Sequence, residues 1–344
     1  MTVPRFTARD VPPNRLNGDV AILSGPRVSV SHNAVYHPVS GSFFNGSWGL
    51  TDYAGGALPL SIPLRGRGER PFGHVDRMPM PSGDFDRRAG TFFYLGPIFP
   101  HFGHFLIESL NRMWALGQCR STIDGVVCHA NEDVPELLTK RPFMRDLLVA
   151  LGVGEGDLIR PSRPTIFEAL VIPEPAMQPR AHVYHEFAEM FSRARIAMGI
   201  KPPDVKKRNG VYISKTKIKH GVTLVSNEQF IENTMRDHGY DVVYPEDLTF
   251  KDQITTFDAF TDVVGCAGSA FHTLLLSAGN KRLRYIAPGD VVNSNYPMID
   301  IALGHDATYF FPSVKAITRE GIMFPFEICN VEKLTDAILS HNET

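Results

Sequence analysis

The chain reads as an α/β protein of two domains, and three observations carry that expectation. From Val211 onward, short apolar runs alternate with helix-spaced segments in the order β-α-β-α-β-α-β, which is how a parallel sheet covered by helices is written in sequence. A proline- and charge-rich stretch, GIKPPDVKKRN from Gly199 to Asn209, precedes that pattern and suits an interdomain linker. The length of 344 residues, with 43% hydrophobic content, is enough for two ordinary cores. The expected boundaries are 1–200 and 210–325, with a last segment, 326–344, forming a helix that packs back on the rest.

Taken in order, the first ninety residues form an irregular β-rich elaboration, with short runs at Val20–Leu23 and Val28–Val30 among Gly and Pro turn signals. The segment Tyr94–Trp114, YLGPIFPHFGHFLIESLNRMW, then sets His104, Glu108 and Arg112 at successive i, i+4 positions along an otherwise apolar helix. Gly125–Cys128 is a short buried strand. Pro142–Leu151 is a helix with Phe143, Leu147, Leu148 and Leu151 on one face and Gly152 as its stop. Ala169–Pro173 reads as a strand and His182–Met198 as a long amphipathic helix carrying Phe187, Met190, Phe191 and Ala194.

In the second half, Val211–Ser214 is a strand, and Ser226 with Gln229 forms a capping box that opens a helix running to Gly239. Tyr240–Tyr244 is the next strand. Thr249 with Asp252 gives an N-cap signal, followed by Ile254, Phe257 and Phe260 at helical spacing. Asp262–Val264 is a strand entering the turn Gly265-Cys-Ala-Gly-Ser269. Ala270–Ala278 is a helix stopped by Gly279, and Leu283–Ala287 a further strand. Together these make a Rossmann-like half.

Composition removes several classes. The 35 Lys plus Arg balance 37 Asp plus Glu, which argues against a broad nucleic-acid interface. Cys119, Cys128, Cys266 and Cys329 form no Cys-x-x-Cys pair, so neither a zinc site nor a disulfide framework is indicated. The opening MTVPRFTARDVPPNR lacks the apolar core of a signal peptide, and no stretch has the roughly 20 apolar residues that span a bilayer. The expectation is a reduced, cytoplasmic protein, with peripheral attachment at the inner face of a membrane or to a polysaccharide-assembly partner left open. Asn45-Gly-Ser and Asn342-Glu-Thr fit the glycosylation acceptor pattern, which carries no weight without a secretion signal. No motif speaks to oligomeric state.

Chemistry concentrates in two places. A base, an acid and a cation along one apolar helix face either a substrate cleft or a satisfied buried network. In an open parallel sheet the ligand sits beyond the carboxyl ends of the strands, here the Ser214–His220 loop and the Gly265–Ser269 turn. Gly265 and Gly268 let backbone N–H groups approach a phosphate, with Ser269 as a hydroxyl donor, while Lys215, Lys217, Lys219 and His220 could neutralise a diphosphate. The alternatives are a tight ligand-free turn and solvated lysines. Walker, His-Glu-x-x-His and Gly-x-Ser-x-Gly signatures are absent. Asp84-Phe-Asp86 is a literal Asp-x-Asp in a Gly/Pro/Arg context and reads as a turn.

These residues resemble glycosyltransferase family 61. Phe102-Gly-His-Phe-Leu-Ile-Glu108 followed by Asn111-Arg-Met-Trp114 is similar to the family's Gly-His-Phe and Arg-Leu-Trp segment. Tyr212-Ile-Ser-Lys215 resembles its strand ending in Ser-Arg, and Asn227-Glu228 its Asn-Glu opening of the next helix. Gly265-Cys-Ala-Gly-Ser-Ala resembles its glycine turn, and Asn295-Tyr296 sits where the family often has an aromatic pair. The resemblance spans about Tyr94 to Phe311. Departures are Lys215 for arginine, Thr223 where a second arginine stands, with Lys219 as its stand-in, Ala267 for histidine, and His272 for asparagine.

The resemblance implies a GT-B-like fold, two Rossmann-like domains facing across a cleft, with acceptor on residues 1–200 and nucleotide-sugar on 210–325. It implies inversion by single displacement onto a glycan or polysaccharide, with neither cofactor nor metal and the nucleotide-sugar as co-substrate. His104 is then the base and Glu108 its orienting or protonating partner. His101, Arg112, Lys215, Lys219, Asn227, Glu228, Gly265, Gly268, Ser269 and His272 would contact substrates. Two alternatives remain: a binding protein of the same fold that has lost catalysis, and a metal-dependent transferase using Asp84 and Asp86.

Overall fold

A computed structural model describes residues 2–66, 68–69, 77–78, 85–201, 210–218, 223–287, 289–317 and 324–341. Asp84, Lys219, His220, residues 202–209 of the linker and Asn342-Glu-Thr lie outside the described residues. The chain divides into two compact units, Ala21–Gly199 (the N-unit) and Met1–Val20 with Ile200–Thr344 (the C-unit).

The N-unit is built on a six-stranded mixed sheet, ordered Ser47–Thr51, Val28–Ser40, Thr165–Pro173, Asp86–Pro97, Gly125–His129, Leu158–Ile159. The last four strands run parallel, and Val28–Ser40 and Ser47–Thr51 extend the sheet antiparallel. Continuous apolar runs such as Phe92–Leu95 are buried on both faces, as strands of a covered parallel sheet must be. Tyr36, Phe92, Tyr94, Val127, Phe167 and Leu170 form a core of this sheet. The run expected at Val28–Val30 is a strand of 13 residues, because its later part, Ala34 to Tyr36, is buried between two partners. The helix expected from His182 starts at His185, since His182–Tyr184 pairs as a strand with Met177–Gln178 and Ile22–Leu23.

In the C-unit, five parallel strands are ordered Asp306–Phe310, Arg282–Ile286, Asp262–Cys266, Val211–Ile213, Asp241–Val243. Numbered along the chain this is 5-4-3-1-2, a doubly wound sheet whose order reverses between Val211–Ile213 and Asp262–Cys266. Arg5–Thr7 adds antiparallel to the outer strand Asp306–Phe310. The first residues, assigned by sequence to a 1–200 domain, therefore belong with the C-unit; their partner lies three hundred residues away and leaves no local signal. The terminal helix, Val331–Ser340, buries Leu334 and Ile338 against Tyr212, Ile231 and Phe310 of the same unit.

Local signals fared unevenly. Thr249 caps Phe250–Ala259, its hydroxyl oxygen accepting from Asp252 N–H at 3.2 Å. The Ser226–Gln229 capping box is not formed. The helix starts at Glu228, and Gln229 instead donates to Glu232 and Asn233. The helix expected at Ala270–Ala278 is a 3-10 helix, Ser269–Leu276, with Phe271 through Leu276 all buried. An element buried all round takes its form from packing and not from an amphipathic period.

Candidate active site

In the N-unit the strand Asp86–Pro97 ends at its carboxyl edge in the segment carrying His104 and Glu108. Phe102–His104 forms one α turn, Phe105–Ser109 a π turn closed by Leu110 N–H on Phe105 O, and Met113–Ala115 a 3-10 turn. Ser109 supports the widened turn by accepting from Phe99 N–H at 2.9 Å. A π turn shifts every later side chain around the axis. His104 and Glu108 therefore keep their i, i+4 contact, His104 Nδ1 against Glu108 Oε1, while Arg112 leaves the stripe. The expectation of three groups in one row is corrected accordingly.

Arg112 is 1% exposed. Its Nε donates to Pro173 O at 3.1 Å and its Nη2 to Leu60 O at 2.9 Å, and the guanidinium lies 5.4 Å from the Tyr94 ring centroid. Burial pulls its pKa down to about 10, so it remains a cation at neutral pH. Gly96 makes room for it. With φ +104° in a bulge of the strand, a Cβ there would stand 2.7 Å from Arg112 Nη1.

The cation that does join His104 and Glu108 is Arg65, which the sequence reading missed. Its Nε donates to Glu108 Oε2 at 2.8 Å, and its Nη2 reaches Oε1 at 2.7 Å and Oε2 at 2.6 Å. The same Nη2 lies 3.4 Å from His104 Nδ1. Arg65 stands 43 residues earlier in a Gly-rich loop, so no periodicity could have found it. That loop is tied down through Gly66 N–H to Pro179 O at 2.8 Å and Gln178 Nε2 to Gly66 O at 2.9 Å. Glu108 is buried and His104 is 46% exposed at its side chain, which gives a held carboxylate beneath an accessible imidazole. His101 precedes the turn, its ring 5.4 Å from that of His104. Burial first, then the nearby His104 and Arg141, lowers its pKa.

The C-unit gathers a second set at its switch point. Lys215, two residues past the end of Val211–Ile213, donates from Nζ to Ala267 O at 3.1 Å, and its own N–H bonds Glu228 Oε1 at 2.9 Å. Tyr212 donates to the same Glu228 oxygen at 3.0 Å. Burial raises the Glu228 pKa despite those bonds. A Cβ at Gly268 would meet Lys215 Nζ at 2.5 Å, so the glycine leaves the lysine its place. Gly265 answers a packing need, because a Cβ there would stand 2.8 Å from Ile213 O. Below the loop, Glu232 accepts from Ser214, Thr216, Tyr244 and Arg236. Burial pushes its pKa up, but those donors together bring it down to about 2.

The other expected residues fall around these two sets. Ser269 opens the 3-10 helix, and His272 is buried with its ring stacked on Tyr296 at 5.3 Å. Asn227 braces the fold, donating to Ile328 O at 2.9 Å and accepting from Ile328 N–H at 3.1 Å. Lys217 pairs with Asp247 at 3.1 Å and lies over the Tyr244 ring. Asp86 begins its strand 3.8 Å from Arg163, so no described strand leads into the Asp-x-Asp pair. Among the described residues, no three His, Cys, Asp or Glu side chains gather as a metal would need.

The family model described as Glycosyltransferase 61 matches residues 102–283, more than half of the chain, from the π-turn segment to the strand Arg282–Ile286. No curated protein matches the chain. The chain belongs to glycosyltransferase family 61.

Proposed function

We propose that this member of glycosyltransferase family 61 moves a sugar from a nucleotide-sugar to a glycan acceptor by single displacement, inverting the anomeric carbon without a metal. The observation that carries the reading is the His104–Glu108–Arg65 set. An imidazole whose Nδ1 faces a buried, ion-paired carboxylate is held in the tautomer with Nδ1–H, and its Nε2 lone pair accepts a proton. His104 takes the proton of the acceptor hydroxyl as that oxygen attacks the anomeric carbon. Glu108 orients the ring and stabilises the imidazolium that results.

The departing nucleoside diphosphate requires positive charge. Lys215 uses one of its three N–H donors on Ala267 O, leaving two for phosphate oxygens, and the Gly268–Ser269 turn adds backbone N–H groups. The labour is then divided in the GT-B manner, donor on the C-unit and acceptor on the N-unit. The reading places the chain in the cytoplasm, where nucleotide-sugars are made, with no nucleic-acid partner.

The test is sugar transfer, or slow donor hydrolysis, across a panel of nucleotide-sugars with excess EDTA present. Turnover unchanged by the chelator is expected. Abolition by EDTA with rescue by manganese or magnesium, lost again in Asp84→Asn or Asp86→Asn, would establish the metal-dependent alternative.

A further inference from the structure

Arg65 reaches Glu108 from a closed loop. Arg65 N–H donates to Glu69 O at 2.8 Å and Glu69 N–H to Arg65 O at 2.9 Å, so the two residues stand opposite each other. Whatever holds Glu69 therefore also holds Arg65. The anchor is a hairpin of the same unit, formed by Met177–Gln178 and His182–Tyr184. Three successive residues at its tip grip the loop. Gln178 Nε2 donates to Gly66 O at 2.9 Å, Pro179 O accepts from Gly66 N–H at 2.8 Å, and the Arg180 guanidinium is ion-paired with Glu69.

Local structure does not ask for an arginine at position 180. Ala181 N–H donates to Gln178 O at 3.1 Å, closing a turn with proline second and Arg180 third. Arg180 has a φ of +64°, in the left-handed region, where such a turn favours glycine and a side chain brings strain. Nor does stability explain the ion pair. The Glu69 side chain is 67% exposed, and pairs so exposed add little to a fold. Strain kept for a contact of little stabilising value points to geometry as its use. That geometry is the placing of Arg65, whose guanidinium bonds both Glu108 oxygens and borders His104 Nδ1. We infer that Arg180 is a positioning residue, the side-chain part of a clasp that sets Arg65 on Glu108 and through it the surroundings of the His104 ring. Its consequence for catalysis rests on the transferase reading; its control of His104 does not.

The experiment reads the His104 ring by NMR in the full chain, labelled at its histidine ring carbons, at fixed pH and without substrate. The signal is assigned by its loss in His104→Gln. Arg65→Gln should move it and so define the displaced state. Arg180→Gly should move it in the same direction, yet add nothing in the Arg65→Gln background, because both act through one guanidinium. The thermal midpoint of Arg180→Gly should stay at or above that of the wild type, since glycine takes the left-handed backbone without strain. Glu69→Ala, a change at an exposed side chain, should reproduce the shift, and Arg180→Lys should keep most of the wild-type position. In sugar transfer, Arg180→Gly should lower kcat about threefold to tenfold with donor KM unchanged. A His104 signal unmoved by Arg180→Gly, a shift that persists undiminished in the Arg65→Gln background, or a shift accompanied by a lowered thermal midpoint would each overturn the clasp. A wild-type kcat in Arg180→Gly would overturn its part in catalysis. Failure of the transferase reading shows separately, as wild-type chain that turns over no nucleotide-sugar while the His104 signals respond as expected.

Discussion

The His104 set of the N-unit and the Lys215 set of the C-unit hold their charged groups by different means. In the N-unit, His104, Glu108 and Arg65 hold one another, and the carboxylate is buried beneath the other two. In the C-unit, Lys215 is held by a backbone carbonyl, its own N–H and the space left by a glycine. A set that depends on mutual charge is stranded when one member is removed. A set that depends on backbone is fixed by topology and tolerates the loss of a neighbour. The two sets should therefore fail differently under substitution.

The sharpest test is His104→Ala. If the N-unit set is catalytic, turnover should fall by about 100-fold to 10,000-fold with donor KM nearly unchanged, read from steady-state kinetics. A shift of both parameters together, or loss of folding by circular dichroism, would make the set a brace and erase the contrast.

Arg65→Ala probes the mutual dependence itself. It strands a buried carboxylate, which for a buried pair costs roughly 3–5 kcal/mol. Arg65 keeps 20% of its side-chain exposure, so about 3 kcal/mol is expected in urea unfolding, with Arg65→Lys recovering part of it. A cost under about 1 kcal/mol would mean that solvent screens the pair as it does at a surface.

The same two centres show where sequence reasoning reaches and where it stops. His104 with Glu108, the Thr249 cap and the Gly265–Ser269 turn are local patterns within five residues, and local patterns survive in a string. The parallel sheet of the second half was legible because strand and helix alternation constrains topology. Arg65 was not legible, since a contact between residues 43 apart in the sequence has no period. Nor was the π turn. A single widened turn changes no composition, yet it takes Arg112 from the row and buries it against Tyr94. The pairing of Arg5–Thr7 with Asp306–Phe310 is a long-range register of the same illegible kind.

A pH experiment sharpens the comparison from the C-unit side. Glu232 has its pKa depressed from 4.5 to about 2, burial being outweighed by donors that include Ser214 and Thr216 on either side of Lys215. A depressed carboxyl contributes stability that is complete above its unfolded value. That stability is lost as pH falls from about 4.5 through about 2. Thermal midpoints of the wild type should thus drop more steeply over this window than those of Glu232→Gln, which starts lower at pH 7. Parallel curves would remove Glu232 as the anchor of the lysine loop.

The smallest effect is expected from Gly268→Ala, and it is the one that separates backbone holding from side-chain holding. The backbone of Gly268 is extended, with φ near −175°, so alanine meets no conformational penalty there. The added Cβ would press on Lys215 Nζ at 2.5 Å and Cε at 2.8 Å, the far end of a flexible chain that can move aside. Stability should change by less than about 1 kcal/mol, because no buried backbone or ring has to shift. What should change is where the ammonium sits. Displaced from Ala267 O, it would meet a diphosphate less well, and nucleoside diphosphate affinity should fall several-fold while affinity for the bare nucleoside holds. Equal losses for both ligands would show that the alanine blocks the turn itself, and the assignment of Lys215 to the phosphates would then go with it.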